Sequence, residues 1–445
     1  MARAVRRLTV AGELRPPGDK SITHRALMLA ALARGTSELE GVLTSGDARS
    51  SARVLRQLGA DVDPLRAGGR VRVTGRAWSK PRGSLDCGNS GTTVRLMLGL
   101  LAGHAFAARL TGDASLRRRP MRRVADPLRA MGARFDLEGD HLPLVVEGGP
   151  LRGITHRSPV ASAQIKSAVL LAGLAGGVDV SVEEPSPSRD HTERLLRFLG
   201  APLEGDQTLV RFNATSFPRS VVPSFRLAVP GDISSGIFPI AVATAADAGE
   251  LTIVDVGLNP TRTGALRVLQ RMGASLEARV DRTEGGEPVG MITVRPAGLH
   301  GTTVAPHEVP ALIDEIPTLA VLAARATGET RFQGVAELRV KESDRLARIV
   351  EGLRAVGADA AIEGEDLIVA GGMRAPPRGD VETDGDHRVT MAFAVLGLVP
   401  GADVRLSETR SVAVSYPGFF DDLRRVTGVE SLDQVSPRRS QRAQR

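Results

Sequence analysis

The chain has 445 residues, 42% of them apolar, which is enough for two or three domains with ample core. A net charge of +7 admits nucleic acid, an anionic surface or acidic small molecules as partners, but aromatics at 3% disfavour a stacking platform for single strands. A single cysteine excludes a disulfide framework, no stretch approaches the roughly 18 apolar residues of a membrane span, and residues 1–14 lack the apolar core of a signal peptide, so a cytoplasmic protein is expected.

The dominant pattern is a sixfold repeat. A polar turn opens an apolar, helix-like run near residues 18, 88, 162, 231, 311 and 384. A second helix-like segment closes each unit with LRQLGA from Leu55, LRAMGA from Leu128, LRFLGA from Leu196, LQRMGA from Leu269, LRAVGA from Leu353 and LRRVTG from Leu423. The spacing, about 70 to 80 residues, suits a small β/α building block better than a common solenoid unit. In the first unit Ala26, Leu27, Leu29, Ala30, Leu32 and Ala33 leave the first helix no polar face, and the runs from Ala168 and Leu319 behave alike. Such helices are buried. The second helices are amphipathic, with Val54, Leu55 and Leu58 on one side and Arg53, Arg56 and Gln57 on the other. Segments 142–146, 178–182 and 291–294 alternate as half-exposed strands do. Buried helices with strands outside reverse the order of a β/α barrel.

Six units divide naturally into three and three, at the Pro/Gly-rich segments 14–18 and 228–231. The first strand is expected to join the C-terminal half. The expected domains are therefore 18–228 and a discontinuous 1–17 plus 229–430, followed by a disordered basic tail over 431–445.

The candidate chemistry sits at helix starts, where free N–H groups and the positive dipole end favour anions. Gly18-Asp19-Lys20-Ser21 with Arg25 offers an ammonium, a hydroxyl and a guanidinium, without the spacing of a Walker A loop. Cys87, beside Gly88-Asn89, is expected to be a small buried residue rather than a nucleophile. In the run Arg117-Arg118-Arg119-Pro120, the first two arginines suit a solvated face. Asp314-Glu315 opens an apolar run, where burial would poise a carboxylate as a base. Lys341-Glu342-Ser343-Asp344-Arg345 packs both charge signs after a strand-like 337–340, and Asp386-His387-Arg388 opens the sixth unit. Only four of the 58 basic residues are lysines, and Lys20, Lys166 and Lys341 all lie in such polar motifs. An arginine-rich chain keeps lysine where a compact, proton-moving ammonium is needed. No cluster has metal-ligand spacing.

Taken together, GDKSxxxR, GNSGT, RRRP, SAQxK, RDHTE, NPTR, the Asp-Glu pair at 314, VKESDR and DHR resemble, in order from about residue 8 to 428, the 5-enolpyruvylshikimate-3-phosphate synthase family. The resemblance implies a two-domain inside-out α/β barrel, the enolpyruvyl transferase fold, with three βαβαββ repeats per domain. It also implies transfer of the enolpyruvyl group of phosphoenolpyruvate to the 5-hydroxyl of shikimate 3-phosphate, with release of phosphate and no cofactor. A monomer with neither nucleic acid nor membrane as partner is expected. By the same resemblance Lys20, Ser21, Arg25, Ser162, Ala163, Gln164, Arg189, Asp314 and Lys341 would hold shikimate 3-phosphate. Lys20, Asn89, Gly91, Arg119, Gln164, Arg345 and Arg388 would surround phosphoenolpyruvate. Asp314 would take the hydroxyl proton, and Glu342 or Lys20 would protonate the methylene carbon.

Departures from the family pattern point to its class II subgroup. Val414 stands where many members carry a lysine, and Ala163 where class I enzymes often have a second serine. At Gly91 the missing Cβ lets backbone and ligand approach closely; by resemblance an added methyl there would crowd glyphosate, which occupies the donor site in this family. UDP-N-acetylglucosamine enolpyruvyl transferase is the nearest alternative, but Ala114 replaces the reactive cysteine common in that family. A basic nucleic-acid-binding protein is disfavoured, because the motif arginines recur at helix starts rather than along one helix face.

Overall fold

A computed structural model describes residues 7–137 and 139–429. The expected basic tail over 431–445 lies outside them. The chain divides into two compact units. The N-terminal unit comprises Pro17–Pro230 and Thr283–Pro288; the C-terminal unit comprises the described residues up to Pro16, Gly231–Arg282 and those from Val289 onward. Each has its own continuous apolar core.

The N-terminal unit holds α1 (Lys20–Leu32), α2 (Gly46–Gln57), α3 (Gly91–Ala102), the single turn α4 (Ala114–Arg117), α5 (Arg122–Ala130), α6 (Ala163–Gly176) and α7 (His191–Phe198). The C-terminal unit holds α8 (Ile233–Ala245), α9 (Gly264–Arg271), α10 (Ile316–Ala323), α11 (Arg345–Ala355), α12 (His387–Leu396) and α13 (Phe419–Thr427). As the sequence predicts, the first helix of each repeat (α1, α3, α6, α8, α10 and α12) is buried on every side. The second helices bury one stripe; in α2, Val54, Leu55 and Leu58 face inward while Arg53, Arg56 and Gln57 are exposed.

The repeated LRxhGA signature has a local cause. It is the C-terminal cap of the second helix. Its glycines, Gly59, Gly132, Gly200, Gly273 and Gly357, take φ between 89° and 114°, a left-handed conformation costly for any residue with a Cβ. The following alanine N–H then donates back to the carbonyl of the signature leucine. The five bonds, Ala60 to Leu55, Ala133 to Leu128, Ala201 to Leu196, Ala274 to Leu269 and Ala358 to Leu353, measure 2.9 to 3.1 Å. This is the Schellman closure, which satisfies carbonyls that the helix leaves open.

Strands lie outside the helices in small sheets, each built on a parallel pair. In the second repeat Leu85–Asp86 runs parallel to Ala107–Thr111, which continues antiparallel through Leu144–Glu147 to Arg134–Leu137. The sheet of the first repeat takes its outer strand, Arg226–Ala228, from the end of the unit, in parallel register with Thr36–Glu40. In the C-terminal unit the early strand Glu13–Leu14 pairs parallel with Leu251–Gly257. Among the described residues the sixth repeat keeps only its parallel pair, Arg378–Val381 with Asp403–Leu406, since its second helix is the last described element.

Two local readings differ from the sequence pattern. The strand-like 337–340 is a 3₁₀ helix, Ala336–Val340. Its Leu338 and the preceding cap residue Val335 are buried, and a spacing of three fits the 3₁₀ period rather than the strand period. The apolar run after 311 becomes helical only at Ile316, where Pro317 sits in the first turn and gives up an N–H that has no helical partner there.

Helix α3 meets the backbone of α6 at Gly99, where an added Cβ would lie 2.2 Å from the Ala168 carbonyl oxygen and 2.9 Å from its Cα. Backbone cannot step aside as a flexible side chain can. Gly99→Ala is expected to destabilise the N-terminal unit by at least about 2 kcal/mol, seen as an earlier midpoint in urea unfolding; an unchanged midpoint would mean the two helices are not held at this spacing.

Candidate active site

Some of the polar residues singled out from the sequence fall at the starts of the buried helices, while Arg119, Arg189 and the Lys341–Arg345 run lie in or beside the turns that lead to second helices; five of the six buried-helix starts are capped by side chains. Asp19 accepts from Ile22 N (2.9 Å), Ser90 from Thr93 N (3.1 Å) and Ser162 from Ile165 N (3.5 Å). Asp232 accepts from Ser234 N (2.9 Å), and Asp386 from Arg388 N (2.9 Å) and Val389 N (3.3 Å). The six starts are therefore not equivalent anion sites. Three are already closed by a capping carboxylate, whereas α3 and α6 are capped by the neutral hydroxyls of Ser90 and Ser162.

In the N-terminal unit Lys20, the first residue of α1, pairs with Asp47 at the start of α2 (Nζ to Oδ2, 3.2 Å). One turn on, Arg25 is buried. It donates to Thr192 Oγ1 (2.6 Å), Ser167 Oγ (2.8 Å) and the Ser21 carbonyl (2.9 Å), so it joins α1, α6 and α7. Burial draws its guanidinium down to about 10, partly opposed by Glu193 and Asp19, and it remains a cation at neutral pH. His24 is also buried, with Nδ1 2.7 Å from Ser51 Oγ. Burial first, then the charges of Lys20 and Arg25, push it down to about 3, so it is neutral.

At the start of α3, Arg119 donates to Asn89 Oδ1 (2.8 Å), while Asn89 Nδ2 donates to Asp113 (2.7 Å). Arg119 is the buried member of its arginine run; Arg117 and Arg118 are exposed, as expected of a solvated face. Ser162, Ala163 and Gln164 begin α6, and Gln164 Oε1 accepts from Arg95 Nη1 (2.7 Å). Arg189 precedes α7, half-buried, and its charge is felt by Arg25. Lys166 is not offered to a ligand. It is 2% exposed and lies between Glu184 (2.8 Å) and Glu193 (2.9 Å).

In the C-terminal unit the charges converge on Arg345, which is fully buried. Its Nε donates to Asp386 (2.9 Å) and its Nη2 to Glu342 (2.6 Å), while Nη1 reaches Asp314 at 3.4 Å. Burial opposes its charge, but Asp386, Glu342 and Asp314 together hold the guanidinium well above its ordinary value. Arg388 Nη1 donates to the Asp314 carbonyl (3.2 Å), and its Nη2 is 3.9 Å from the Asp314 carboxylate. Lys341 Nζ lies 4.0 Å from the same carboxylate. Burial pulls the Lys341 ammonium down, against the pull of Asp314 and Glu337. Asp314, Lys341, Glu342, Arg345 and Arg388 thus form one cluster, with the cap Asp386 as the anchor of its central guanidinium.

Two participants were not singled out from the sequence: Asp47 holds Lys20, and Arg95 bridges α3 to Gln164. Asp386, named with His387 and Arg388, has the further part of anchoring Arg345. Arg95 carried a usable signal: it is the lone charge in the apolar run of α3, and a buried charge must be paired. It also qualifies the reading of Gly91. A Cβ there would lie 3.0 Å from Arg95 Nη1 and 3.2 Å from Arg119 Nη1, so a methyl would press on two guanidiniums as well as on any ligand.

The EPSP synthase (3-phosphoshikimate 1-carboxyvinyltransferase) sequence model matches residues 6–423. A 3-phosphoshikimate 1-carboxyvinyltransferase of Thermus thermophilus is 52% identical over 93% of this chain and 96% of its own, and one of a Methylobacterium species is 48% identical over 93% and 94%. The chain belongs to the EPSP synthase family. Among solved structures, an EPSP synthase from Acinetobacter baumannii superposes with a TM-score of 0.82 at 36% identity, covering 95% of this chain and 97% of the other. The enolpyruvyl transferase NikO of Streptomyces tendae shares the fold, with a TM-score of 0.72 at 19% identity over 94% and 95%.

Within the described residues of this EPSP synthase family member no helix is long and apolar enough to cross a membrane, and no group of three or more His, Cys, Asp or Glu could hold a metal ion. Cys87 is fully buried, and its thiol is pushed up to about 12, chiefly by burial and then by Asp86. A thiol with that value is almost wholly protonated at pH 8 and is not a nucleophile. The native protein should therefore leave an aromatic disulfide reagent unreacted at pH 8 and release one equivalent of thiol on unfolding; rapid labelling of the folded protein would contradict this burial.

Proposed function

We propose that this chain transfers the enolpyruvyl group of phosphoenolpyruvate to the 5-hydroxyl of shikimate 3-phosphate and releases phosphate. The observation that carries the reading is the setting of Asp314: one carboxylate within 4.0 Å of Lys341, Arg345 and Arg388. A proton acceptor among fixed cations is what an alcohol addition to an anionic donor requires. The cations offset repulsion between substrates and oppose the charge of the intermediate without reorganising.

The acceptor phosphate and hydroxyls are held by Lys20, Ser21, Arg25, Ser162, Ala163, Gln164, Arg189, Asp314 and Lys341. Lys20, Asn89, Gly91, Arg119, Gln164, Arg345 and Arg388 serve the donor. The 5-hydroxyl oxygen adds to C2 of phosphoenolpyruvate as its proton passes to Asp314. The methylene carbon takes a proton from Glu342 or Lys20, giving a tetrahedral phosphate ester. Loss of a proton from that carbon and departure of phosphate restore the double bond. No step calls for a metal or a nucleotide.

The test is phosphate release from phosphoenolpyruvate with shikimate 3-phosphate or UDP-N-acetylglucosamine as acceptor. Turnover with the first alone is expected; folded protein that releases phosphate with neither, or only with the second, refutes the assignment.

The roles of the carboxylates are separable by substitution. Asp314→Ala and Glu342→Gln should lower kcat by about 100-fold or more, the usual range for acid–base groups, with smaller changes in KM. Glutamine at 342 keeps an oxygen for Arg345, so its effect reports on the proton rather than on the guanidinium. Lys20→Arg should be severely impaired at equal charge, because Lys20 works as a compact ammonium against Asp47. A rise in KM alone would make any of these a binding group.

A further inference from the structure

Lys166, Glu184 and Glu193 form a buried ionic cluster that the reaction does not use. All three side chains are at most 2% exposed. Burying a lysine and two carboxylates is expensive unless each is paired and hydrogen-bonded, and this cluster is built to be so. Lys166 Nζ, in the second turn of α6, lies 2.8 Å from Glu184 Oε2 and 2.9 Å from Glu193 Oε1. Glu184 also accepts from Ser162 N (2.7 Å) and from Ser188 Oγ (2.7 Å).

The hub therefore touches the backbone of one proposed acceptor-binding residue and the immediate neighbour of another. Ser162 caps α6, and Ser188 precedes Arg189. Glu184 follows the strand Val180–Glu183, and Glu193 lies in the first turn of α7, beside Thr192, which holds Arg25. Two carboxylates to one ammonium leave a single excess negative charge in the cluster. Glu193 Oε2 is buried with no hydrogen-bond partner among the described residues, and Glu193 supports the charge of Arg25, whose hydrogen-bond partners there are neutral.

We propose that Glu184, braced by Lys166 and Glu193, is a positioning residue for the shikimate 3-phosphate subsite, fixing the start of α6 and the segment that carries Arg189. The inference rests on the acceptor assignment above. It bears on acceptor affinity more than on the rest of the reaction, because among the proposed donor-binding residues only Gln164, which serves both substrates, stands on the start of α6.

The test uses the full chain, with shikimate 3-phosphate binding measured by calorimetry without donor, and steady-state phosphate release measured in parallel. Glu184→Gln removes the charge at constant size, and Ser188→Ala removes only the link to the Arg189 segment. Glu184→Gln should weaken acceptor binding by about 10-fold or more, the range for losing a buried charge-assisted partner. Ser188→Ala should weaken it by roughly 3-fold, as for one neutral bond. In both, the KM for phosphoenolpyruvate and kcat should stay within about 3-fold, a split that general loss of structure would not produce. If Glu184→Gln does not fold, Ser188→Ala carries the test. Wild-type binding with unchanged binding in the folded variants, or a parallel loss in kcat and both KM values, overturns the inference. Absence of acceptor binding by the wild type overturns instead the function on which it rests.

Discussion

A helix buried on every side can offer polar groups only at its ends. Six such helices form the interior of this chain, and that constraint decides where chemistry is possible. A lysine or arginine in the middle of α1 or α6 must be paired internally, as Arg25 is with Ser167 and Thr192 and Lys166 is with Glu184 and Glu193. A residue at a helix start can be held by its neighbours and still face outward. Repetition then multiplies the arrangement, since every repeat delivers another helix start and another polar turn to its unit. The same constraint explains the Schellman closures: a chain that turns back after each second helix needs a glycine at a fixed place, and the repeat signature records it.

The second problem is the collection of positive charge. Cations packed close together repel one another, and each must be stabilised in place. The two units solve this differently. In the C-terminal unit carboxylates do it, with Arg345 bound by Asp386 and Glu342 and approached by Asp314. In the N-terminal unit neutral groups dominate, with hydroxyls and a carbonyl around Arg25 and amides at Arg95 and Arg119. A guanidinium matched to a carboxylate is a fixed element of the site. One satisfied by hydroxyls and amides keeps more of its charge for a ligand. On this argument the N-terminal unit is where an added phosphate gains most.

Much of this could be read from the sequence, for identifiable reasons. Burial of the first helices followed from the absence of a polar face in residues 26–33, and five of the six unit ends from the glycine that each Schellman closure demands. The site motifs were visible because charged residues at helix starts interrupt otherwise apolar runs. What was not visible was pairing. Nothing in the order of residues says that Asp47 holds Lys20, or that the cap Asp386 also anchors Arg345, since these contacts join segments 27 and 41 residues apart. The strand-like look of 337–340 misled because alternation over four residues does not separate a strand from a 3₁₀ turn. Buried Val335 and Leu338, three apart, decide it.

The scarcity of lysine takes on a physical meaning once the contacts are known. Composition alone suggested that an arginine-rich chain keeps lysine where guanidinium would fail, and three of the four positions show how. At Lys166 the space between two carboxylates, 2.8 and 2.9 Å from one nitrogen, admits a point charge and no planar fork. At Lys341 burial pulls the ammonium down against the pull of Asp314 and Glu337, and the compact charge sits 4.0 Å from the Asp314 carboxylate. At Lys20 the ammonium pairs with Asp47 in the first turn of α1, while Arg25 one turn on already supplies the fixed cation of that helix. The two residue types therefore divide the work: arginine binds α1, α6 and α7 together while carrying charge, and lysine stands where charge must be small or deeply enclosed.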